Sequence, residues 1–414
     1  MPGKTISEKI LSAKSGRDAR AGDVVVCTVD CAMGNDGSTP MALDYFDAMG
    51  GETVFDPKRI VFALDHYSPP PSVKTTQLHQ RMHDFAARHG IEVWEVGEGI
   101  GHQLMVESGR ITPGALAVGA DSHSVTYGAL NAFATGVGSS DLAALMICGR
   151  VWLRVPESIR VTLRGSLRDG VLPKDIALAL AGRLGADGAA YCALEFGGPG
   201  VATLELEDRL VLSNLSVEMG AKNGVFPADR HTAEYLGKEF APVDPDPDAR
   251  YAREMELDLD RIAPQIALPH QVDRVVEIGE AAGTPVQMVY IGTCTGGRVR
   301  DFHQARDVIK AAGGIARGVQ VVVTPASRRV LDELTRDGTL ADFIGMGAVI
   351  VTPGCGSCCG TCGAIPGDGV NVISTANRNF KGRMGNSNAS IYLASPAACA
   401  AAAVTGMITD PRKL

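Results

Sequence analysis

The sequence predicts an α/β protein of three doubly wound domains, parallel sheet covered by helices. Short β-branched runs stop abruptly at glycine, proline or a polar residue. Most are followed by a stretch whose apolar residues recur at helical spacing. The length, 414 residues, fits three domains at about 150 residues each.

The elements follow in order. The run 60–64 ends in Asp65-His66, and 73–88 after it reads as an amphipathic helix. The run 115–118 leads into Gly119-Ala120-Asp121-Ser122-His123. The run 286–291 leads into Gly292-Thr293-Cys294-Thr295-Gly296-Gly297, with a helical pattern over 300–312. The run 319–323 precedes a helix at 327–336, and 348–351 runs into Thr352-Pro353-Gly354-Cys355. In doubly wound sheets ligands bind beyond the carboxyl ends of the strands, where these polar motifs fall. Residues 241–250, with Pro242, Pro245 and Pro247 alternating with aspartates, read as an extended, solvated linker or loop. The domains are placed at 1–155, 156–270 and 271–414.

Composition excludes several classes of protein. With 39 Lys+Arg against 47 Asp+Glu the chain carries a formal charge of −8, with no basic stripe for a nucleic-acid backbone. Hydrophobic residues at 45% and charged residues at 21% argue against wholesale disorder or a fibrous fold. No apolar run approaches the roughly 18 residues of a membrane span. Residues 1–13 lack a signal-peptide core, so a cytoplasmic protein is expected. Cysteines in that compartment are thiols or metal ligands rather than disulfides.

Four of them, Cys355, Cys358, Cys359 and Cys362, form two consecutive C-x2-C pairs. They are open to three readings besides plain buried thiols. Together they number the ligands of a structural zinc site. Cys355, Cys359 and Cys362 also match the C-x3-C-x2-C spacing of radical S-adenosylmethionine enzymes, but those carry it early in the chain. In the third reading Cys294, at its own strand end, joins the run, and three thiolates hold a [4Fe–4S] cluster with one iron open to act as a Lewis acid.

Other groups suit such chemistry. Asp65-His66, His102 in Gly99-Ile100-Gly101-His102-Gln103, and Asp121-Ser122-His123 set histidines beside carboxylates or glycine turns, as tunable proton carriers. Asn377, Arg378 and Arg383 lie in a cationic, amide-rich stretch whose guanidinium forks suit a di- or tricarboxylate. Asn214 and Glu218, four apart, would share one side of a helix; a surface or capping pair is the plainer reading.

Taken together these motifs resemble the aconitase superfamily, and within it the large subunits of 3-isopropylmalate dehydratase and their relatives. Asn35-Asp36 with Thr39-Pro40, Asp65-His66, Gly99 to Gln103 and Gly119 to Ser124 match in family order. So do Asn214 to Glu218 with Gly220-Ala221, Gly292 to Thr295, Pro353 to Cys358, Ser374 to Arg383 and Tyr392 to Pro396. The resemblance implies three aconitase-type domains around a central cluster crevice, with one [4Fe–4S] cluster on Cys294, Cys355 and Cys358. It implies catalytic roles for Asp65, His66, His102, Asp121, His123 and Glu218, and substrate contacts from Ser122, Asn214, Asn377, Arg378 and Arg383. The implied reaction removes water from a hydroxy di- or tricarboxylate and adds it back. Single-chain relatives have a fourth, swivelling domain, so a separate small subunit is expected to supply it. Cys359 and Cys362 depart from the usual pattern, which leaves open both their part in cluster binding and the substrate: 3-isopropylmalate, or the dimethylmalate, methylmalate, maleate or homoaconitate of paralogues. A sensor built on the same scaffold and a zinc-stabilised structural domain are the rival classes. The acidic balance weighs against an RNA-binding sensor.

Overall fold

The computed structural model describes residues 3–414. Its strands form three sheets and a two-stranded ribbon. The first sheet runs Glu92–Trp94, Ile60–Ala63, Cys31–Asn35, Leu116–Gly119, Phe133–Gly136, all parallel. Its earliest strand is central, so the winding reverses between Cys31–Asn35 and Leu116–Gly119. That reversal opens a crevice at the carboxyl ends. The inner strands are buried along their length because helices cover both faces.

Helix Val73–His89 shows why the elements form where they do. The Ser72 side chain accepts from the Thr75 amide at its start, and Gly90 ends it at φ 73. His79, Met82, Phe85 and Ala86 form its buried stripe. There Phe85 meets Phe46 edge to face at 5.1 Å, one of the ring pairs in this core.

A second parallel sheet runs Asn223–Val225, Ala193–Gly197, Ser158–Arg164, Arg253–Asp258. Its helix Leu206–Leu215 packs on the segment Ser122–Leu130 and adds Leu206 and Leu210 to the apolar cluster that Met33, Val61 and Ala117 of the first sheet also join. The third sheet orders Ser390–Leu393, Asn371–Ser374, Met288–Gly292, Gln320–Thr324 and Val349–Ile350 in parallel, with Gln265–Ala267 and Val275–Glu277 antiparallel at one side. Here the winding reverses between Met288–Gly292 and Asn371–Ser374.

The expected strands and helices form with ends moved by no more than two residues. The stretch 241–250 has no helix or strand and is largely exposed, but it is anchored rather than free. The Lys4 amide donates to Asp246 at 2.7 Å, and Asn131 exchanges two hydrogen bonds with the Val243 backbone, at 3.0 and 2.8 Å. Among the described residues no helix is long and apolar enough to cross a membrane.

The loop 98–100 ties the first sheet to the third. The Ile100 amide donates to Ala326 O at 2.8 Å and the Arg328 amide to Glu98 O at 2.7 Å. Gly99 sits between them at φ 146, where a Cβ would lie 2.7 Å from Ala326 O. Gly99→Ala is expected to destabilise the chain by about 1–3 kcal/mol, the cost of one residue held in a strained conformation. A lowered thermal midpoint in scanning calorimetry is the check, and an unchanged midpoint would refute it.

Candidate active site

The carboxyl ends of the first and third sheets face one another, and the loops leaving them meet. On the first-sheet side Asp121 is the hub. Its Oδ2 accepts from Asn35 Nδ2 at 2.9 Å and lies 3.5 Å from His66 Nε2. Its Oδ1 is 3.0 Å from His102 Nε2 and accepts from the His123 amide at 2.9 Å. Burial presses the Asp121 carboxyl upward, but the charge and hydrogen bond of His102, then His123 and His66, hold it well below the usual carboxylate range.

His66 has the matching environment. Burial pulls its pKa down, yet the charge of Asp65 and the 2.7 Å contact between His66 Nδ1 and Asp65 Oδ1 hold it well above the ordinary histidine value. Its proton is therefore held more tightly than that of an ordinary histidine. Asp65 in turn accepts from the Gly101 amide at 2.7 Å, which sets the turn that carries His102. His102 Nδ1 lies 3.0 Å from the buried Tyr127 hydroxyl. His123 Nε2 is 2.8 Å from Glu218 Oε1, which also accepts from Arg378 Nε at 2.7 Å. Burial raises the Glu218 carboxyl, but His123 and Arg378 together keep it below its usual value. The Arg378 fork reaches on to Ser122 Oγ at 2.9 Å.

The thiols lie beside this network of histidines and carboxylates. Thr293 adopts φ 74, a left-handed conformation rare for a β-branched residue, in the turn that presents Cys294. Asn214 and Asn377 both donate amide hydrogens to Cys294 Sγ, at 3.2 and 3.3 Å. Arg383 Nη2 donates to Cys358 Sγ at 3.5 Å, and the Cys355 amide donates to Asp65 O at 2.7 Å. Burial, with the nearby Cys358 charge, pushes the Cys294 thiol up to about 12. The hydrogen bond from Cys355, with the Arg383 guanidinium opposing burial, holds Cys358 well below the usual thiol range. Soft thiolate donors surrounded by N–H groups aimed at sulfur fit an iron–sulfur cluster. The four neighbouring cysteines are not gathered around one point: among the described residues Cys355 gathers closely with Cys359 and His66 instead.

Every site candidate named from the sequence enters this one network. Asn214 and Glu218 do so differently from a shared helix side. The helix ends at Leu215 and a tighter turn, Ser216–Met219, swings Glu218 away. Asn214 reaches Cys294 while Glu218 reaches His123, and neither is a surface pair. The Arg378 turn is likewise no solvated basic run, since it is tied to Glu218 and Ser122.

Lys174 and Arg298 enter the site without a sequence motif to mark them. Lys174, buried at the start of helix Pro173–Leu184, donates to Thr295 Oγ1 at 3.1 Å and to the carbonyl oxygens of Thr375 and Ala376 at 3.0 and 2.6 Å. Burial pulls it down to about 8, while the Cys294 and Cys358 charges act to retain its proton. Arg298 donates to Cys294 O at 2.9 Å and Gln103 Oε1 at 3.1 Å. A lysine after Pro173 carries no sequence signal of such burial. Arg298, directly after the Gly296-Gly297 turn, carries a weak one.

Comparison with known proteins gives consistent results. The model of the Aconitase family (aconitate hydratase) matches residues 8–287 and 279–406. The chain is 45% identical over 415 residues to 3-isopropylmalate dehydratase large subunit 1 of Methanopyrus kandleri, covering 99% of each. It is 45% identical over 418 residues to the protein of that name from Thermotoga maritima, again covering 99% of each. It is 44% identical to the homoaconitase large subunit of Thermus thermophilus, covering 100% of this chain and 98% of that protein. Among solved structures it is similar to the holo-form of aconitase X from Thermococcus kodakaraensis, with a TM-score of 0.53 at 12% identity, covering 90% of this chain and 88% of that one. At that identity the likeness speaks to the fold.

The Asp121 hub has a pH signature. Its carboxyl is held below 3.8, the unperturbed value, so its ionised contacts stabilise the fold fully above that pH and are lost as pH falls through the lower folded value. The stability advantage of the native chain over Asp121→Asn is therefore expected to shrink as pH falls below about 4. Urea midpoints of the two proteins measured across pH 3–7 test this. An advantage that grew between pH 4 and pH 3 would contradict it.

Proposed function

The chain belongs to the aconitase family, and from that premise we propose that it is the large subunit of an iron–sulfur hydro-lyase that dehydrates and rehydrates 3-isopropylmalate. The observation that carries this reading is the meeting of buried thiols, an Asp–His–Glu proton chain and two guanidinium groups in one crevice. The family implies an iron–sulfur cluster. On our reading it is a [4Fe–4S] cluster held by Cys294, Cys355 and Cys358. When bound it supplies a Lewis-acid iron that makes the substrate hydroxyl a better leaving group.

The remaining roles belong to the chain's own side chains. Arg378, already bridging Glu218 and Ser122, is placed to grip a carboxylate bidentately. Arg383 has a buried Nε with no hydrogen-bond partner among the described residues, a donor left for a ligand oxygen. Imidazolium His66, steadied by Asp65, is the proton donor to a departing hydroxyl. Ionised Glu218, paired with His123, accepts a proton from substrate or water. His102 is fixed between Tyr127 and Asp121 and orients this chain. Asn214 and Asn377 steady Cys294.

On the same reading the three sheets are the cores of three domains, and a cytoplasmic small subunit supplies a fourth, swivelling domain. The names of several relatives favour 3-isopropylmalate. Homoaconitase large subunits of comparable identity set the competing substrate.

Anaerobic purification should yield brown protein containing iron and sulfide, and Cys294→Ser should be colourless with an unchanged circular-dichroism spectrum. Colour retained in that variant would remove Cys294 from the ligand set. Co-expressed with its small subunit, the chain is expected to dehydrate 3-isopropylmalate faster than homocitrate, dimethylmalate, methylmalate or maleate, with little turnover by the isolated chain. Inactivity on the whole panel would sink the hydro-lyase reading, and a preference for another member would reassign the substrate. Glu218→Gln should lower kcat by about 10²- to 10⁴-fold, the usual worth of a positioned acid or base, while the visible spectrum stays as in the native protein.

A further inference from the structure

Two cysteines of the run 355–362 have no part in the assignment above. Cys362 is buried with its Sγ 3.4 Å from Ser68 O, an ordinary hydrogen-bonded core thiol. Cys359 is placed differently. Its Sγ, the Cys355 Sγ and a ring nitrogen of His66 all lie within 4.8 Å of one another. A tetrahedral zinc ion, with bonds of about 2.3 Å to sulfur and about 2.0 Å to nitrogen, holds its ligand atoms about 3.5–4 Å apart. The triad is therefore close to closed around a point.

Local structure supports the arrangement. Cys355 caps the single turn Gly356–Cys359, so the two thiols are four residues apart on one side of it. Asp65 Oδ1 lies 2.7 Å from His66 Nδ1, the carboxylate contact that orients metal-binding imidazoles and leaves Nε2 for an ion. Thr361 hydrogen-bonds to His66 O and lies 3.2 Å from Cys359 Sγ, which ties the histidine's backbone to the second thiol. Thiolate and imidazole donors are the set that zinc takes.

We propose that the cluster-free chain holds one thiophilic divalent cation, Zn²⁺ above all, on His66, Cys355 and Cys359, and that this ion and the cluster exclude each other because both require Cys355. Binding moves no electrons: each thiol loses a proton as its sulfur takes the metal, the His66 imidazolium gives up the proton on its ligating nitrogen, and three protons are released. The binding half of the proposal stands on the geometry of the triad alone. The exclusion half rests on the reading of Cys355 as a cluster ligand.

The test uses the full-length chain, kept reduced, stripped of metal by chelation and titrated with Zn²⁺ and with Co²⁺ as a coloured substitute. One equivalent is expected to bind, with sulfur-to-cobalt charge-transfer absorbance. Cys359→Ser and His66→Ala should each weaken binding by at least about tenfold, as loss of a ligand does. Cys358→Ser and Cys362→Ser should bind as the native chain does, and circular dichroism confirms that each variant is folded. Zinc retained by Cys359→Ser but lost from Cys358→Ser or Cys294→Ser would overturn the site, as would the absence of a stoichiometric equivalent. In a second arm, one equivalent of zinc should slow the return of cluster absorbance during iron and sulfide reconstitution of the native chain, and not of Cys359→Ser. Equal slowing in both overturns the exclusion. Neither arm reads turnover, so failure here leaves the hydro-lyase reading intact, whereas a chain that binds zinc through Cys359 and never dehydrates the substrate panel would sink that reading alone.

Discussion

A single buried carboxylate organises the crevice. Asp121 receives Asn35 and His66 on one oxygen and His102 and the His123 amide on the other. These groups come from separate loops, each leaving the first sheet at the carboxyl end of a strand. A buried charge is costly unless paired and hydrogen-bonded, and once it is paired the partners lose their freedom as well. The orientation of three histidines thus follows from keeping one aspartate ionised. The Asp121 loop lies on one side of the winding reversal of the first sheet, and the Asn35 loop on the other. The constraint is accordingly topological before it is chemical.

The same logic governs the thiols. Three sulfur atoms on two loops of the third sheet would carry concentrated negative charge once metallated. The chain surrounds them with Lys174, Arg298 and Arg383 and with the amides of Asn214 and Asn377. Lys174 and Asn214 come from helices that flank the second sheet, so that unit reaches the centre without lending it a strand end. Lys174 also grips the carbonyl oxygens of Thr375 and Ala376 just ahead of Asn377 and Arg378. One cation therefore couples the Cys294 turn to the loop that carries Arg378.

Much of the site was legible because a doubly wound sheet imposes a simple rule. Polar residues that directly follow a buried strand emerge at its carboxyl end, which is why Asp65-His66, Asp121 to His123 and Cys294 could be picked out one by one. Glu218 was legible as a residue but not as geometry, since a change from α-helix to a tighter turn at Ser216 redirects it. The stretch 241–250 read as solvated from its prolines and aspartates, yet Lys4 and Asn131, distant in sequence, anchor it.

The sequence by itself determined the layer architecture, the family and the roster of thiols, histidines, carboxylates and arginines, because these rest on local periodicity and short motifs. Only the tertiary structure decided which of them touch: that Asp121 is shared by three histidines, that Arg378 bridges Glu218 and Ser122, that Lys174 is buried beside the cysteines, and that Cys359 turns toward His66. Such contacts join residues far apart in the chain, and burial, which sets whether a side chain is solvated or becomes part of a charged network, is a property of the packed layers rather than of any segment within them.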